Sequence, residues 1–391
     1  MYDAVHQFEP LLPTLAHPEL GALADDLSAR ALELKGLVHP ATAARIADLL
    51  RGVNSYYSNR IEGQHTHPRE IERALHKDFD KAPDKARLQR LAIAHIVTQQ
   101  EMEFWLASEP ALSVYSPDFI ARLHASFYGK LPAEERKTKD GDEVVPGEWR
   151  KKDVDVGRHI APAWKSVPDY LERVEQVYSA EKGASRQLIA LACAHHRLAW
   201  VHPFRDGNGR VMRLQSQAAL IRQGAGSGLW AVSRGLARDV QSYYDRLSDA
   251  DQPRLGDLDG RGNLSERGLA AFAKYFLETC LDQVKFMAEL LQLKELRPRM
   301  RAYLKLVSET EADIRPEAEP ALYHVFLAGT VKRGEFKQMT GLGARTADKV
   351  IAAMLAKGLL MSDTPKGAVS IGLPLDALAF YFPRLYPEAA A

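Results

Sequence analysis

Over residues 18–105 apolar residues recur at steps of three and four, the spacing of one face of a helix. Leu20, Leu23, Leu27, Ala31 and Leu34 mark a first amphipathic helix, and Ala44, Ile46, Leu49 and Leu50 a second. Two more helices are predicted over residues 68–76 and 85–105, and Ser116-Pro117-Asp118 opens another through Phe119, Leu123 and Phe127. Between residues 144 and 168 the periodicity stops. Prolines and glycines punctuate short runs there, and Asp153-Val154-Asp155-Val156-Gly157 alternates polar and apolar residues, which predicts a small β-hairpin. Helix returns over residues 170–178 and from about 185 to 200, then, after a polar loop, runs to about residue 223.

A loop rich in Asp and Gly, residues 248–262, precedes a helix for which Ser265 is the expected N-cap. Asp257 and Asp259 in that loop lack the further ligands of a calcium site and read as solvated loop residues. The helix passes Phe272, Phe276 and Cys280 and is expected to end near Leu296, before Pro298. Charge and proline then cluster over residues 309–320. Beyond them, helices over residues 321–328, 333–340 and 344–357 surround a Gly341-Leu342-Gly343 turn, and Leu359-Leu360-Met361 and Val369-Ser370-Ile371 flank a second turn. Two short helices across a glycine turn followed by a hairpin form a winged helix-turn-helix pattern. The predicted fold class is therefore mainly α. The expected divisions are an N-terminal helical region at 1–110, a core at 111–300, a linker at 301–320 and the winged-helix-like module at 321–391.

Composition adds little that is specific. At 391 residues, 46% apolar, 26% charged and net charge +1, the chain has the balance of a globular protein, with no global field favouring nucleic acid or an anionic membrane. Its two cysteines, Cys193 and Cys280, sit in apolar helical patterns and read as buried thiols in a reducing compartment. No basic stretch with an apolar core opens the sequence, and no apolar run is long enough to cross a bilayer, so the expected setting is cytoplasmic, with no membrane partner.

The densest chemistry lies in His202-Pro203-Phe204-Arg205-Asp206-Gly207-Asn208-Gly209-Arg210, followed by Arg213. A histidine takes a proton near neutral pH. An aspartate can hold a magnesium ion that also touches phosphate oxygens. Two glycines let backbone N–H groups approach an anion, and a helix starting near Asn208 would direct its positive end at the same anion. Arg210 and Arg213 stand i, i+3 on that helix.

This segment resembles the signature of the Fic family, His-Pro-Phe-x-(Asp/Glu)-Gly-Asn-Gly-Arg-x-x-Arg, at every position. The resemblance implies a helical Fic core with a hairpin flap, and transfer of AMP from ATP to a hydroxyl side chain of a target protein with release of pyrophosphate. It implies His202 as general base and Asp206 as the Mg²⁺ ligand. Gly207, Asn208 and Gly209 would form a phosphate cradle, Arg210 would meet the leaving pyrophosphate, and Arg213 the γ-phosphate. Ser58-Asn59-Arg60-Ile61-Glu62-Gly63 matches the family's inhibitory pattern, (Ser/Thr)-x-x-x-Glu-(Gly/Asn), in which Glu62 would pair with Arg213. The same glutamate in some relatives helps remove AMP. The segment around Val156, Gly157 and His159 falls where the family places its flap, and His159 reads equally well as a turn histidine bonded to backbone. Arg150 reads as structural, His196 as a core histidine, Phe204 as a buried anchor, and Tyr243 and Tyr244 as either adenine neighbours or a buried pair. Expected partners are an unidentified target protein, the chain itself by self-modification or as a homodimer, and DNA or protein at the C-terminal module, where Arg345, Thr346, Lys349 and Lys366 would face outward. Alternatives are a Fic enzyme with another nucleotide donor, and a Fic-scaffold regulator that binds DNA.

Overall fold

The computed structural model describes residues 2–14, 17–156 and 159–386. Five helices come first: α1 (Pro18–Gly36), α2 (Pro40–Ile61), α3 (Pro68–Leu75), α4 (Pro83–Ser108) and α5 (Pro117–Gly129). Each begins with proline, whose missing N–H would have no intrahelical partner at that position in any case. A short antiparallel pair follows, β1 (Asp155–Val156) with β2 (His159–Ile160), in which Val156 stands opposite His159. Gly157, assigned to the flap by the sequence, lies outside the described residues.

The chain continues through α6 (Val167–Tyr178), α7 (Ala184–Val201), α8 (Asn208–Arg222), α9 (Val232–Arg238), α10 (Val240–Ala250), α11 (Glu266–Leu290) and α12 (Leu293–Thr310). Helix α7 is the centre of the core. It packs against α1, α6, α8 and α11, and buries Leu188, Leu191, Cys193, Leu198, Trp200 and Val201. A helix enclosed in this way delivers the loop that follows it to one fixed place. The last part of the chain contains α13 (Glu319–Ala328), α14 (Arg333–Thr340), α15 (Ala344–Ala356) and α16 (Leu375–Tyr381). With them, β3 (Thr330–Val331), β4 (Leu360–Met361) and β5 (Val369–Ile371) form an antiparallel sheet in the order β3–β5–β4. Helix α2, which packs chiefly on α4 and α9, also touches α13 and β5.

Three local expectations differ from the structure. Pro298 does not interrupt a helix: the break falls at residues 291–292, and α12 carries Pro298 in its second turn while Leu296, Met300 and Leu304 hold it in the core. Residues 301–320 are accordingly packed for much of their length, with α12 reaching Thr310 and both Ile314 and Ala318 buried. Asp259 is not solvated. It is 1% exposed and accepts hydrogen bonds from Leu255 N, Arg267 N and Ser265 Oγ. It thereby satisfies a donor at the start of α11 that has no intrahelical acceptor, while Asp257 remains exposed.

Candidate active site

The loop from α7 to α8 is held by partners far away in sequence. His202 closes α7 in the left-handed region, at φ 47° and ψ 61°, a conformation that costs a β-carbon-bearing residue energy. Arg150, buried, compensates: its Nε donates to His202 O at 2.9 Å, its backbone N donates to Pro203 O at 2.8 Å, and its Nη2 donates to Pro162 O. Phe204 stacks on His124 with centroids 3.8 Å apart and planes 4° apart. Asn208 ties off the loop, accepting from Phe204 N at 2.8 Å and donating to Phe204 O at 2.9 Å. Gly207 takes φ 81°, and a β-carbon there would stand 2.6 Å from the Tyr128 ring, so both conformation and space call for glycine.

Asn208 and Gly209 form the first turn of α8, where N–H groups have no carbonyl one turn back. The two arginines of the motif reach the end of α2 by different routes. Arg213 Nε donates to Ser58 Oγ and Nη2 to Ser58 O, both at 2.9 Å, and Nη2 also meets Glu62 Oε1 at 2.7 Å. Arg210 donates to Gln64 Oε1 at 3.1 Å, to Tyr128 OH and Asp206 Oδ2 at 3.3 Å each, and lies over the Phe127 ring. The Tyr128 hydroxyl donates to the same Asp206 oxygen at 2.7 Å.

Glu62 owes its position to how α2 ends. Gly63, at φ 73°, permits a Schellman turn in which Gln64 N donates to Asn59 O at 2.9 Å and Gly63 N to Arg60 O at 3.0 Å. From α10, Tyr244 OH donates to Ile61 O at 2.9 Å and pins the same turn. The Glu62 carboxylate stands so close to the first turn of α8 that a β-carbon on Gly209 would collide with Oε1. It therefore occupies the place beside the helix N-terminus that suits an anion.

His202, Glu62, Gly209 and Arg213 line one cavity of about 860 Å³, with Tyr243 and Tyr244 also in its wall. Burial, with help from His159 and Arg150, lowers His202 to about 4, so its imidazole is neutral at physiological pH and able to accept a proton. Burial opposes ionisation of Glu62, yet Arg213 and Arg210 hold its carboxyl below the ordinary range. Asp206 is held low in the same way, by Arg210, the Tyr128 hydroxyl and Gly207 N–H against the cost of burial.

Of the other residues singled out by sequence, His159 bonds Trp200 O at 2.7 Å and Asp251 at 3.3 Å, the backbone-bonded alternative, while still lining the cavity. His196 bonds Leu247 O and the same Asp251. Its neighbour His195, not singled out by the sequence, lies between Ser216 Oγ and Tyr243 OH. Tyr243 is buried and Tyr244 is 43% exposed, so they are not a buried pair. Sequence reasoning missed Asp251, Tyr128 and Gln64. None of them belongs to a motif, and only their packing against His159, Asp206 and Arg210 marks them.

Residues 114–220 match the Fic/DOC family. The chain is 30% identical over 120 residues to the protein adenylyltransferase Fic of Drosophila mojavensis, covering 30% of this chain and 24% of that protein. It is 29% identical over 120 residues to the same-named protein of Drosophila virilis, covering 30% and 25%. The match thus spans about a quarter of the length of these relatives. Among solved structures, a Fic family protein from Desulfovibrio desulfuricans G20 aligns with a TM-score of 0.53 at 15% identity, over 93% of this chain and 98% of that one. A Fic domain containing signaling protein from Bacteroides thetaiotaomicron aligns with a TM-score of 0.52 at 19% identity, over 68% and 96%. Those likenesses speak for the fold, and the loop from His202 to Arg213 lies inside the segment that resembles the Fic/DOC family, residues 114–220.

Proposed function

We propose that the protein is an adenylyltransferase that moves AMP from ATP to a Ser, Thr or Tyr hydroxyl of a target protein, and that Glu62 restrains it. The observation that carries this reading is the shared cavity, in which a neutral imidazole, a helix N-terminus and a buried guanidinium converge while a carboxylate sits on that guanidinium.

His202 accepts the proton of the incoming hydroxyl as its oxygen bonds to the α-phosphorus. The bond from that phosphorus to the bridging oxygen breaks, and pyrophosphate leaves. Such a displacement asks the protein chiefly for positioning and charge neutralisation. The N–H groups of Asn208 and Gly209, with Arg210 and Arg213, supply both. Asp206 fits a hard cation: it is an ionised carboxylate, its side chain is 43% exposed, and its hydrogen bonds from Tyr128 and Arg210 both go to Oδ2. Mg²⁺ held there would neutralise phosphate charge.

Glu62 occupies Arg213 and adds negative charge where the terminal phosphate would bind, so ATP meets a repelling neighbour. The pair β1–β2 would align the target backbone by strand addition. The C-terminal module reads as a winged helix, with α14 and α15 around Gly341 and the β4–β5 turn as the wing. Arg345, Thr346, Lys349 and Lys366 are exposed, as contact with DNA phosphates would require. Among the described residues no helix is long and apolar enough to cross a membrane.

The test is incubation of the purified chain carrying Glu62→Gly with Mg²⁺ and ATP labelled in the α-phosphate, in parallel with γ-labelled ATP. Protein-bound label from the α-position alone supports AMP transfer. Label from the γ-position would make the reaction phosphorylation, and measurable ATP binding with no label from either would argue for another donor.

A further inference from the structure

Helix α2 is held by unlike surfaces. Toward α4 the seam is polar: Asn54 Nδ2 donates to Gln99 Oε1 at 2.8 Å, Ser55 Oγ to Ala92 O at 2.9 Å, and Asn59 Nδ2 to Ser55 Oγ at 3.4 Å. Within it, Oδ1 of Asn54, Oδ1 of Asn59 and both ring nitrogens of His95 are buried with no hydrogen bond among the described residues. Buried polar atoms without partners cost adhesion that an apolar contact would have given. Arg51 also pairs with Glu103 of α4 at 2.9 Å, so this side holds the helix that carries Glu62 through polar contacts with unpaired atoms among them.

The C-terminal residues supply a second grip. Thr42 Oγ1 donates to Phe326 O at 2.7 Å, and Arg45 donates to Ser370 Oγ at 3.2 Å. Gly329 abuts the His39 ring, leaving no room for a β-carbon. Nearer to Glu62, Tyr57 OH donates to Leu385 O at 3.2 Å and Tyr386 OH to Gly52 O at 3.0 Å. The rings of Tyr56 and Tyr386 meet edge to face at 5.2 Å. Arg234 of α9 donates to Arg384 O at 2.9 Å, which fastens the same tail to the catalytic part. Phe382, Leu385 and Tyr386 are buried. Residues 384–386 therefore bridge α9 to α2 about one and a half to three turns before Glu62.

We propose that this tail is the positioning element for Glu62: by fixing α2 against α9 it sets the carboxylate on Arg213, and its displacement releases the restraint. The inference rests on reading Glu62 as a restraint on transfer. Anything that lifts residues 382–386, including a ligand of the C-terminal module, would then act on the active site through α2 without entering the cavity.

The experiment compares Tyr386→Ala and Tyr386→Phe in the full chain, each with Glu62 present and with Glu62→Gly. Transfer of α-label and hydrogen exchange of residues 52–62 are both read. With Glu62 present, Tyr386→Ala should raise transfer about tenfold, as loss of a hydrogen bond and a ring contact permits, and Tyr386→Phe should raise it less. In the Glu62→Gly background the same changes should leave transfer within about twofold, because the restraint they loosen is gone. Exchange over residues 52–62 should quicken in Tyr386→Ala while melting stays cooperative. Wild-type transfer in Tyr386→Ala beside an active Glu62→Gly variant overturns the proposal, as does an equal effect in both backgrounds. If Glu62→Gly is itself inactive, the adenylyltransferase reading fails, and unchanged exchange over residues 52–62 then overturns the positioning role separately.

Discussion

Glu62 Oε1 lies 2.7 Å from Arg213 Nη2, but Arg213 does not depend on it: Ser58 holds the same guanidinium through Oγ and O, each at 2.9 Å. Removing the carboxylate therefore leaves the arginine seated and takes away only the negative charge beside it. Glu62→Gly should raise transfer of α-label by about 10- to 100-fold, within the range of coupling between two sites. An unchanged rate, with ATP still bound, would show that the pair is a structural ion pair and not a restraint.

His202 acts on the incoming hydroxyl and donates nothing to the nucleotide in this reading. His202→Ala, made in the Glu62→Gly background, should lower transfer by about 10²- to 10⁴-fold. Calorimetry should show ATP affinity changed by less than about threefold. Loss of affinity matching the loss of rate would instead place His202 in nucleotide binding.

Gly207 should be intolerant of any side chain. At φ 81°, with the Tyr128 ring 2.6 Å from a built β-carbon, Gly207→Ala must strain the loop or push Tyr128 away from Asp206. Denaturant unfolding should show a loss of about 1–3 kcal/mol. A variant as stable as wild type would mean that the loop rearranges at little cost.

Acid stability follows from buried histidines. Burial lowers His95 and His124 to about 3 each, whereas the unfolded chain takes up these protons from about pH 6.5 downward. Between those limits the unfolded state binds more protons, so stability is complete above about pH 6.5 and falls with acidification by about 1.4 kcal/mol per pH unit and group. Glu62 and Asp206 are shifted low, so the stability they contribute is present above the ordinary carboxylate range and fades only at more acid pH, as it falls through their folded values. His95 bonds nothing among the described residues. His95→Leu should therefore flatten the decline from pH 6.5 to 5 in urea unfolding and change little at pH 7.5. Parallel curves for the two proteins would remove His95 from the account.

Much of the candidate site was legible because it is local. The loop from His202 to Arg213 is one short stretch, and its glycines, acid and arginines follow from what a loop entering a helix next to an anion requires. The match of Ser58 to Gly63 to the inhibitory pattern implied that Glu62 would pair with Arg213, and Ser58 and Glu62, i and i+4 at the end of α2, both contact it. Helix boundaries read from periodicity and caps were close where a signal stood at the end, as at Ser116 and Ser265, whose hydroxyls accept from Phe119 N and Gly268 N. They failed at Pro298, where burial of the surrounding turns outweighs one missing hydrogen bond.

The sequence by itself determined the residues that can carry the chemistry and the helices on which they ride, because backbone propensity, capping and side-chain spacing act over a few residues. Only the tertiary structure decided which partners those residues meet: Arg150 under His202, Tyr128 on Asp206, Asp259 capping α11 from inside, and the tail at Tyr386 resting on the helix that bears Glu62. Apart from Asp259, such partners are set by the packing of elements 52 to 334 residues apart, where burial makes each unpaired polar group costly and so selects the one arrangement that satisfies it.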